Sequence, residues 1–256
     1  MSELTFLVIE HEDECPPEWF GQWWDARGVS LRRVQAHAHR PVPDQPVAIP
    51  TELGDADALV VLGGEAAAND DADYPWLPAT RALIATTVAA GRPFLGICLG
   101  HQLAAAALGG RAGPNPGGHA TGLTPVTLTD AGRSDPLLHA FDGARAVQWN
   151  NDIALELPAD AVVLATAPDG SPQAVRFAPA AYGVQFHPEI SPEQFDSWTV
   201  QKPSAALALG HGIDMEAASR AVHAARGELR ENWQPLADGF VDLVRTHRPQ
   251  PQVDSS

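Results

Sequence analysis

Between residues 4 and 98, four short apolar or β-branched runs alternate with other segments, and this alternation restricts the fold more than any other feature. The runs are Leu4 to Ile9, Val29 to Val34, Ala58 to Leu62 and Phe94 to Cys98. The first, third and fourth are apolar at almost every position, as strands buried on both faces must be. Residues 17–27 carry aromatic side chains at helical spacing, and Gly28 stops them. Pro75 is placed to open a helix that runs to about Ala90, where Gly91-Arg92-Pro93 breaks it. A Pro-rich loop over 41–50 links the second and third runs. Strands alternating with helices in this way predict an α/β fold, a mostly parallel central sheet with helices on both faces.

The second half changes texture. Segments 122–128, 145–149, 161–166, 173–178 and 181–186 are short and β-branched or alternating, with Pro, Gly and Asp between them. They predict further strands, some antiparallel, extending the same sheet. Beyond His187 the pattern turns helical. Met215, Ala218, Val222, Ala225, Leu229, Trp233, Leu236, Phe240 and Leu243 mark one face of a long amphipathic stretch, with Pro235 as its expected break. No linker divides the chain, so 1–246 reads as a single domain and the polar, Pro-rich 247–256 as a disordered tail.

Charge and cysteine content narrow the function. The net charge is −16 from 16 basic and 32 acidic residues, and Lys202 is the only lysine. A Walker phosphate loop is excluded and a Schiff-base lysine disfavoured. Nucleic acid is a poor partner, because phosphate contacts need clustered Lys and Arg. The two cysteines, Cys15 and Cys98, form neither a disulfide framework nor a metal cluster. No run is apolar enough to span a membrane and no signal peptide precedes the first strand, so a cytoplasmic protein is expected.

Gly96-Ile97-Cys98-Leu99-Gly100-His101-Gln102 is the most informative stretch. An apolar run ends on a cysteine with glycines two residues before and after it, and a helix-like Ala/Leu run over 103–108 follows. Small residues at those positions are what a strained strand-to-helix turn around a nucleophile requires. The helix N-terminus behind it favours an anion there. A second signal is Tyr182-Gly-Val-Gln-Phe-His187-Pro188-Glu189, where a strand ends on an imidazole with a carboxylate two residues on. Pro188 keeps His187 in extended geometry. Glu189 is placed to accept from one ring nitrogen, as a base needs.

Together these motifs resemble the class I (triad) glutamine amidotransferases, whose elbow reads Gly-x-Cys-x-Gly-x-Gln and whose second motif reads His-Pro-Glu. The likeness runs from the first strand to the helix after Glu189 and is greatest to stand-alone, guanylate-synthase-like members, some of which act as γ-glutamyl peptidases. Gly63-Gly64, with Asn69-Asp70-Asp71 and Tyr74-Pro75-Trp76, is similar to their oxyanion-loop segment. The resemblance implies a flavodoxin-like fold with extra antiparallel strands, and no cofactor or metal. It implies a Cys98 nucleophile, a His187 base and acid, and Glu189 as its orienting partner. Backbone N–H groups of Gly64 and Leu99 would form the oxyanion hole, and Gln102 would bind the substrate's amino-acid head. The implied substrate is glutamine or another γ-glutamyl compound, and the implied partner, if any, a separate synthase subunit that takes the ammonia. A non-enzymatic binding relative is the rival reading, and the intact Cys98, His187 and Glu189 speak against it.

Three positions depart from the family pattern. Glu65 follows the double glycine where many relatives have proline. Ala120 stands where they usually have glutamate, and Asn150 where they often have histidine. Asn150 lies in the segment read as substrate-binding. Lesser features read blandly: His37-Ala38-His39 as a solvated strand end, Glu10 to Glu14 as a solvated acidic loop, Cys15 as a bystander, and Trp23 and Trp24 as the core and surface sides of one helix.

Overall fold

The structure, a computed structural model, describes residues 3–37, 49–201 and 204–248. Its first half runs β1 (Leu4–Glu10), α1 (Glu18–Ala26), β2 (Val29–Gln35), β3 (Ala58–Val61), α2 (Leu77–Ala89), β4 (Phe94–Ile97) and α3 (Leu99–Ala107). Short strands follow: β5 (Arg111–Pro114), β6 (Ala120–Pro125) and β7 (Thr127–Leu128), then α4 (Asp130–Arg133). Next come β8 (Arg145–Asn150), β9 (Asp152–Glu156), β10 (Val162–Thr166), β11 (Pro172–Ala178) and β12 (Ala181–Val184). The chain then turns helical through α5 (Pro192–Gln201), α6 (Ser204–Gly210), α7 (Met215–Ala224) and α8 (Arg226–His247).

The main sheet has eight strands in the order β2-β1-β3-β4-β12-β11-β10-β7. From β2 to β12 all neighbours are parallel, and β11, β10 and β7 continue antiparallel. The expected α/β architecture is therefore present. Both faces are covered, as the near-continuous apolar strands require. Phe6 and Val8 of β1 enter one core with the aromatic side chains of α1 and α8, while Leu7 and Ile9 enter the other with α2 and α3. On the first face Phe6, Trp24 and Phe240 form edge and tilted ring contacts, and Trp24 Nε1 donates to the Ala237 carbonyl. Trp24 is buried as well as Trp23, in place of the expected surface position, because Phe6, Phe20 and Phe240 pack around it.

Several expectations need correction. Not all later strands extend the main sheet: β6 pairs with β8, and the unanticipated β5 pairs with β9, each as a separate antiparallel ribbon. β5 escaped notice because Gly113 and Pro114 punctuate it like a loop. Pro75 precedes α2, and Pro78 occupies its first turn. The helix after Cys98 begins at Leu99, so Gln102 lies on its first turn and the Ala/Leu run over 103–108 continues it. The break in the long amphipathic stretch falls at Ala225, and α8 continues through Pro235. Pro235 and Glu231 are both on the exposed side, so water can serve the carbonyl that proline leaves unbonded, while buried Trp233, Leu236, Ala237 and Phe240 hold the axis. His247 closes α8 and Arg248 pairs with Asp57 at 2.7 Å, so these two residues, expected in the tail, belong to the fold; 249–256 lie outside the described residues, as do 41–48 of the Pro-rich loop.

Because Pro235 faces solvent and its helix gains nothing from the missing donor, Pro235→Ala should stabilise the fold. Proline in a helix interior is roughly 3 kcal/mol less favourable than alanine, and an adapted helix should recover about 1 kcal/mol of that. The midpoint of chemical unfolding would rise accordingly, and a fall would show that the ring itself packs.

Candidate active site

Cys98 follows the last residue of β4, where its N–H donates to the Val184 carbonyl of β12 at 2.8 Å. Its backbone then turns to φ 50°, ψ −106°, a conformation that side chains other than glycine adopt only under strain. Two close approaches enforce the turn. A Cβ on Gly96 would lie 2.6 Å from the Gly100 carbonyl, and one on Gly100 would lie 2.0 Å from the Val61 oxygen. The flanking glycines are therefore steric necessities, as their spacing suggested. α3 can start directly against the sheet edge only because they lack side chains.

His187 comes from the chain just beyond β12, its N–H held by the Val147 carbonyl of β8 at 2.8 Å. Its Nδ1 donates to Glu189 Oε1 at 2.8 Å, and both side chains are fully buried. Burial disfavours charge on the ring and is the largest single influence. The Glu189 carboxylate, followed by the Cys98 sulfur, outweighs it and pushes the imidazole up to about 10. Trp198 packs edge-on against the ring, with centroids 4.7 Å apart.

Gly63 and Gly64 bring the loop after β3 over this pair. A Cβ on Gly63 would sit 2.9 Å from His187 Cε1 and 3.6 Å from Cys98 Cβ. One on Gly64 would sit 2.7 Å from His11 Cβ and 3.2 Å from Leu99 Cδ2. Gly64 thus lies against the side chain of Leu99, the residue after Cys98. All of these elements meet at a cavity of about 210 Å³, whose lining includes Gly64, Cys98, Gln102, Asn150 and His187. Glu189 stands behind His187. Gln102 donates to the Asp152 carbonyl at 2.8 Å and to Gln185 Oε1 at 3.3 Å. Asn150 donates to the same Asp152 carbonyl at 3.2 Å, and its Oδ1 is buried without a partner.

Several neighbours were not singled out for a role from sequence. Trp149 Nε1 donates to Ser204 Oγ at 2.8 Å, and Ser204 donates to Glu65 Oε1 at 2.7 Å, so α6 is tied to the loop after Gly64. The departure at Glu65 therefore has a structural consequence: a proline could not hold Ser204. His119 lines the cavity with both ring nitrogens buried and unpartnered, and burial, with His211 nearby, lowers it to about 4. Its place beside Ala120 was the only available signal. Gln185 Nε2 lies 3.7 Å from the Cys98 sulfur.

The acidic segment after β1 is not simply solvated. Glu10 is buried against Arg33, and His11 accepts from Trp76 Nε1 at 3.0 Å beneath Gly64. Cys15 is buried, its sulfur near Gly63 and donating to Glu12 Oε1. His37 meets Asp13 at 2.9 Å, and His39 lies outside the described residues. Among the described residues no group of three or more His, Cys, Asp or Glu is placed to hold a metal ion, and no helix is long and apolar enough to cross a membrane.

Known proteins share this arrangement at the level of family and fold. The family model described as glutamine amidotransferase class-I matches residues 26–203. The chain is 31% identical to the glutamine amidotransferase-like protein YfeJ of Salmonella typhimurium over 208 residues, 80% of this chain and 83% of that one. It is 40% identical to one subunit of the glutamine-hydrolysing GMP synthase of Saccharolobus solfataricus over 102 residues, covering 38% of this chain and 51% of that relative. Its fold is similar to the crystal structure of a glutamine amidotransferase from Methylobacillus flagellatus, with TM-score 0.81, 22% identity and coverage of 94% and 96%. One family accounts for most of the chain's length: this protein belongs to the class I glutamine amidotransferases.

Proposed function

We propose that this chain hydrolyses γ-glutamyl amide bonds, converting glutamine to glutamate and ammonia or cleaving a γ-glutamyl peptide, through a thioester on Cys98. The observation that carries the reading is the convergence, on one cavity, of a strained elbow cysteine and a buried imidazole already held to a carboxylate. The sulfur attacks the γ-carbonyl carbon as a thiolate, forming a C–S bond and an oxyanion. The N–H groups of Gly64 and Leu99 receive that oxyanion, and each such donor contributes about 3 kcal/mol to the transition state. The C–N bond then breaks as imidazolium His187 gives its proton to the departing nitrogen. Water, deprotonated by His187, attacks the thioester, and the thiolate leaves. Glu189 orients the ring and stabilises its charge throughout. Gln102 and Asn150 contact the amino-acid head of the substrate.

A second reading is that the ammonia passes to a separate synthase. It is favoured by the similarity to a protein named as part of a synthase. The two differ in whether the site works unaided. Purified protein should release ammonia from glutamine, or amine from a γ-glutamyl dipeptide, with no other protein added. Silence on both that a synthase relieves would establish the second reading.

A glutamine-mimicking electrophile should add one adduct to the intact mass. Cys98→Ala should abolish it, and Cys15→Ala should retain it; labelling carried by Cys15 would overturn the assignment of the nucleophile.

The charge on His187 sets an alkaline limit. With the imidazole raised from 6.5 to about 10, its proton is available to the leaving group through neutral pH and is lost as pH rises through about 10. kcat should therefore fall on that limb. Glu189→Gln removes the supporting charge, so its limb should move down toward neutrality, and its loss of kcat should be roughly 10- to 100-fold milder than that of His187→Ala. A limb that stays in place would mean that another carboxylate supports the ring.

A further inference from the structure

Gln185 is fully buried two residues before His187, and the hydrolysis outlined above gives its side chain no task. β12 pairs Val184 with Ile97 of β4, so Gln185 comes level with Cys98 as the chain leaves the sheet edge. Its backbone N–H is held by the Gln173 carbonyl at 2.9 Å. The orientation of its side-chain amide follows from a chain of bonds that begins at the Asp152 carbonyl. That carbonyl can only accept, so Gln102 must turn its NH2 group toward it, at 2.8 Å. The same nitrogen lies 3.3 Å from Gln185 and there selects the oxygen, Oε1. With its oxygen engaged, Gln185 presents its own NH2 group to Cys98, and Nε2 stands 3.7 Å from the sulfur. An N–H bonded to sulfur spans a longer distance than one bonded to oxygen, because the sulfur atom is larger.

The sulfur needs such a donor. Cys98 is only 5% exposed, so water does little to solvate a thiolate there. A buried charge is costly unless it is hydrogen-bonded. The Trp149 carbonyl, 3.9 Å from the sulfur, can only accept and therefore serves the protonated thiol. His187 also reaches the sulfur, but its proton is the one delivered to the departing nitrogen. We propose that Gln185 is the standing hydrogen-bond donor to the Cys98 thiolate, held in that orientation by Gln102. The role rests on the hydrolase reading above, in which the sulfur is anionic before it attacks the γ-carbonyl and again when the thioester breaks. Gln185 directs its N–H at the sulfur in both states and gives up no proton in either. By the same bonds Gln102 is a positioning residue for the nucleophile, besides the substrate contact proposed above.

The test is the pH profile of Cys98 alkylation by iodoacetamide, read at that residue by peptide mass spectrometry on the full chain. Alkylation follows the thiolate, so the rate falls from an alkaline plateau as the sulfur is protonated. In Gln185→Met the ratio of the rate on the acid side to that plateau should fall about 10-fold, the factor that one hydrogen bond to a charged group supplies. A substitution that merely loosened the turn would scale the whole profile and leave the ratio alone. Gln102→Met frees the Gln185 amide to turn, so the ratio should fall there too, with a reagent that has no amino-acid head to bind. Neither substitution replaces a titratable group around the sulfur: His187 with Glu189 behind it, or Glu65, Asp70, His119 and Asp152 on the cavity wall. An unsubstituted ratio in either folded variant would overturn the inference, and if Gln185→Met fails to fold, Gln102→Met decides alone. Should the unsubstituted protein hydrolyse neither glutamine nor a γ-glutamyl dipeptide while the ratios fall as expected, the hydrolase reading is overturned and the donor assignment stands.

Discussion

The approach of Gly100 to the carbonyl of Val61 is the contact on which the rest of the site depends. A methyl group there would sit 2.0 Å from the oxygen, so α3 could not begin where it does. Because it can, Cys98 is squeezed into a left-handed conformation between a strand hydrogen-bonded to β12 and the first turn of a helix. The strain is of the order of 1–3 kcal/mol, and the buried apolar sheet on either side sustains it. The sulfur is thereby held at the carboxyl edge of the sheet, against the helix end whose partial charge is positive.

Around that fixed point the remaining groups arrive from distant parts of the chain. β12 lies beside β4 in parallel register, so the chain beyond it emerges next to Cys98 and carries His187 with it. β8 reaches the same place by a single bridge, Val147 to His187, and brings Trp149 and Asn150 to the cavity. α6 completes the wall through Ser204, which is held on one side by Trp149 and on the other by Glu65. Among the described residues the wall so formed carries the His187 imidazole, held by Glu189, together with several oxygen acceptors.

How much of this was legible beforehand varied with the range of the forces involved. The four strands of the first half were legible from their apolar or β-branched runs, and the elbow from its glycine spacing, since Gly96 answers to Gly100 four residues on; that Gly100 also answers to the Val61 carbonyl emerged only in the fold. The His187–Glu189 bond was legible because both partners are two residues apart on a chain that Pro188 keeps extended. β5 and β9 were not, since a ribbon with glycine and proline in one strand has no periodic signal and exists only by pairing. Pro235 misled because local propensity favours a break there, while burial of Trp233 and Phe240 keeps α8 continuous. Ser204 carried no signal and His119 only its place beside Ala120, both being single polar residues whose surroundings come from elsewhere.

The sequence by itself therefore determined the layered α/β class, the glycine spacing of the nucleophile's turn and the identity of the imidazole–carboxylate pair, because local spacing and hydrophobic period carry those. Only the tertiary structure decided the chemical character of the cavity. Glu65, Asp70, Asn150 and Asp152 are scattered across the chain, and nothing in their neighbours states that they share one wall. Electrostatics acts through space rather than along the chain, so the sign of a pocket emerges only when the sheet has set its edges side by side.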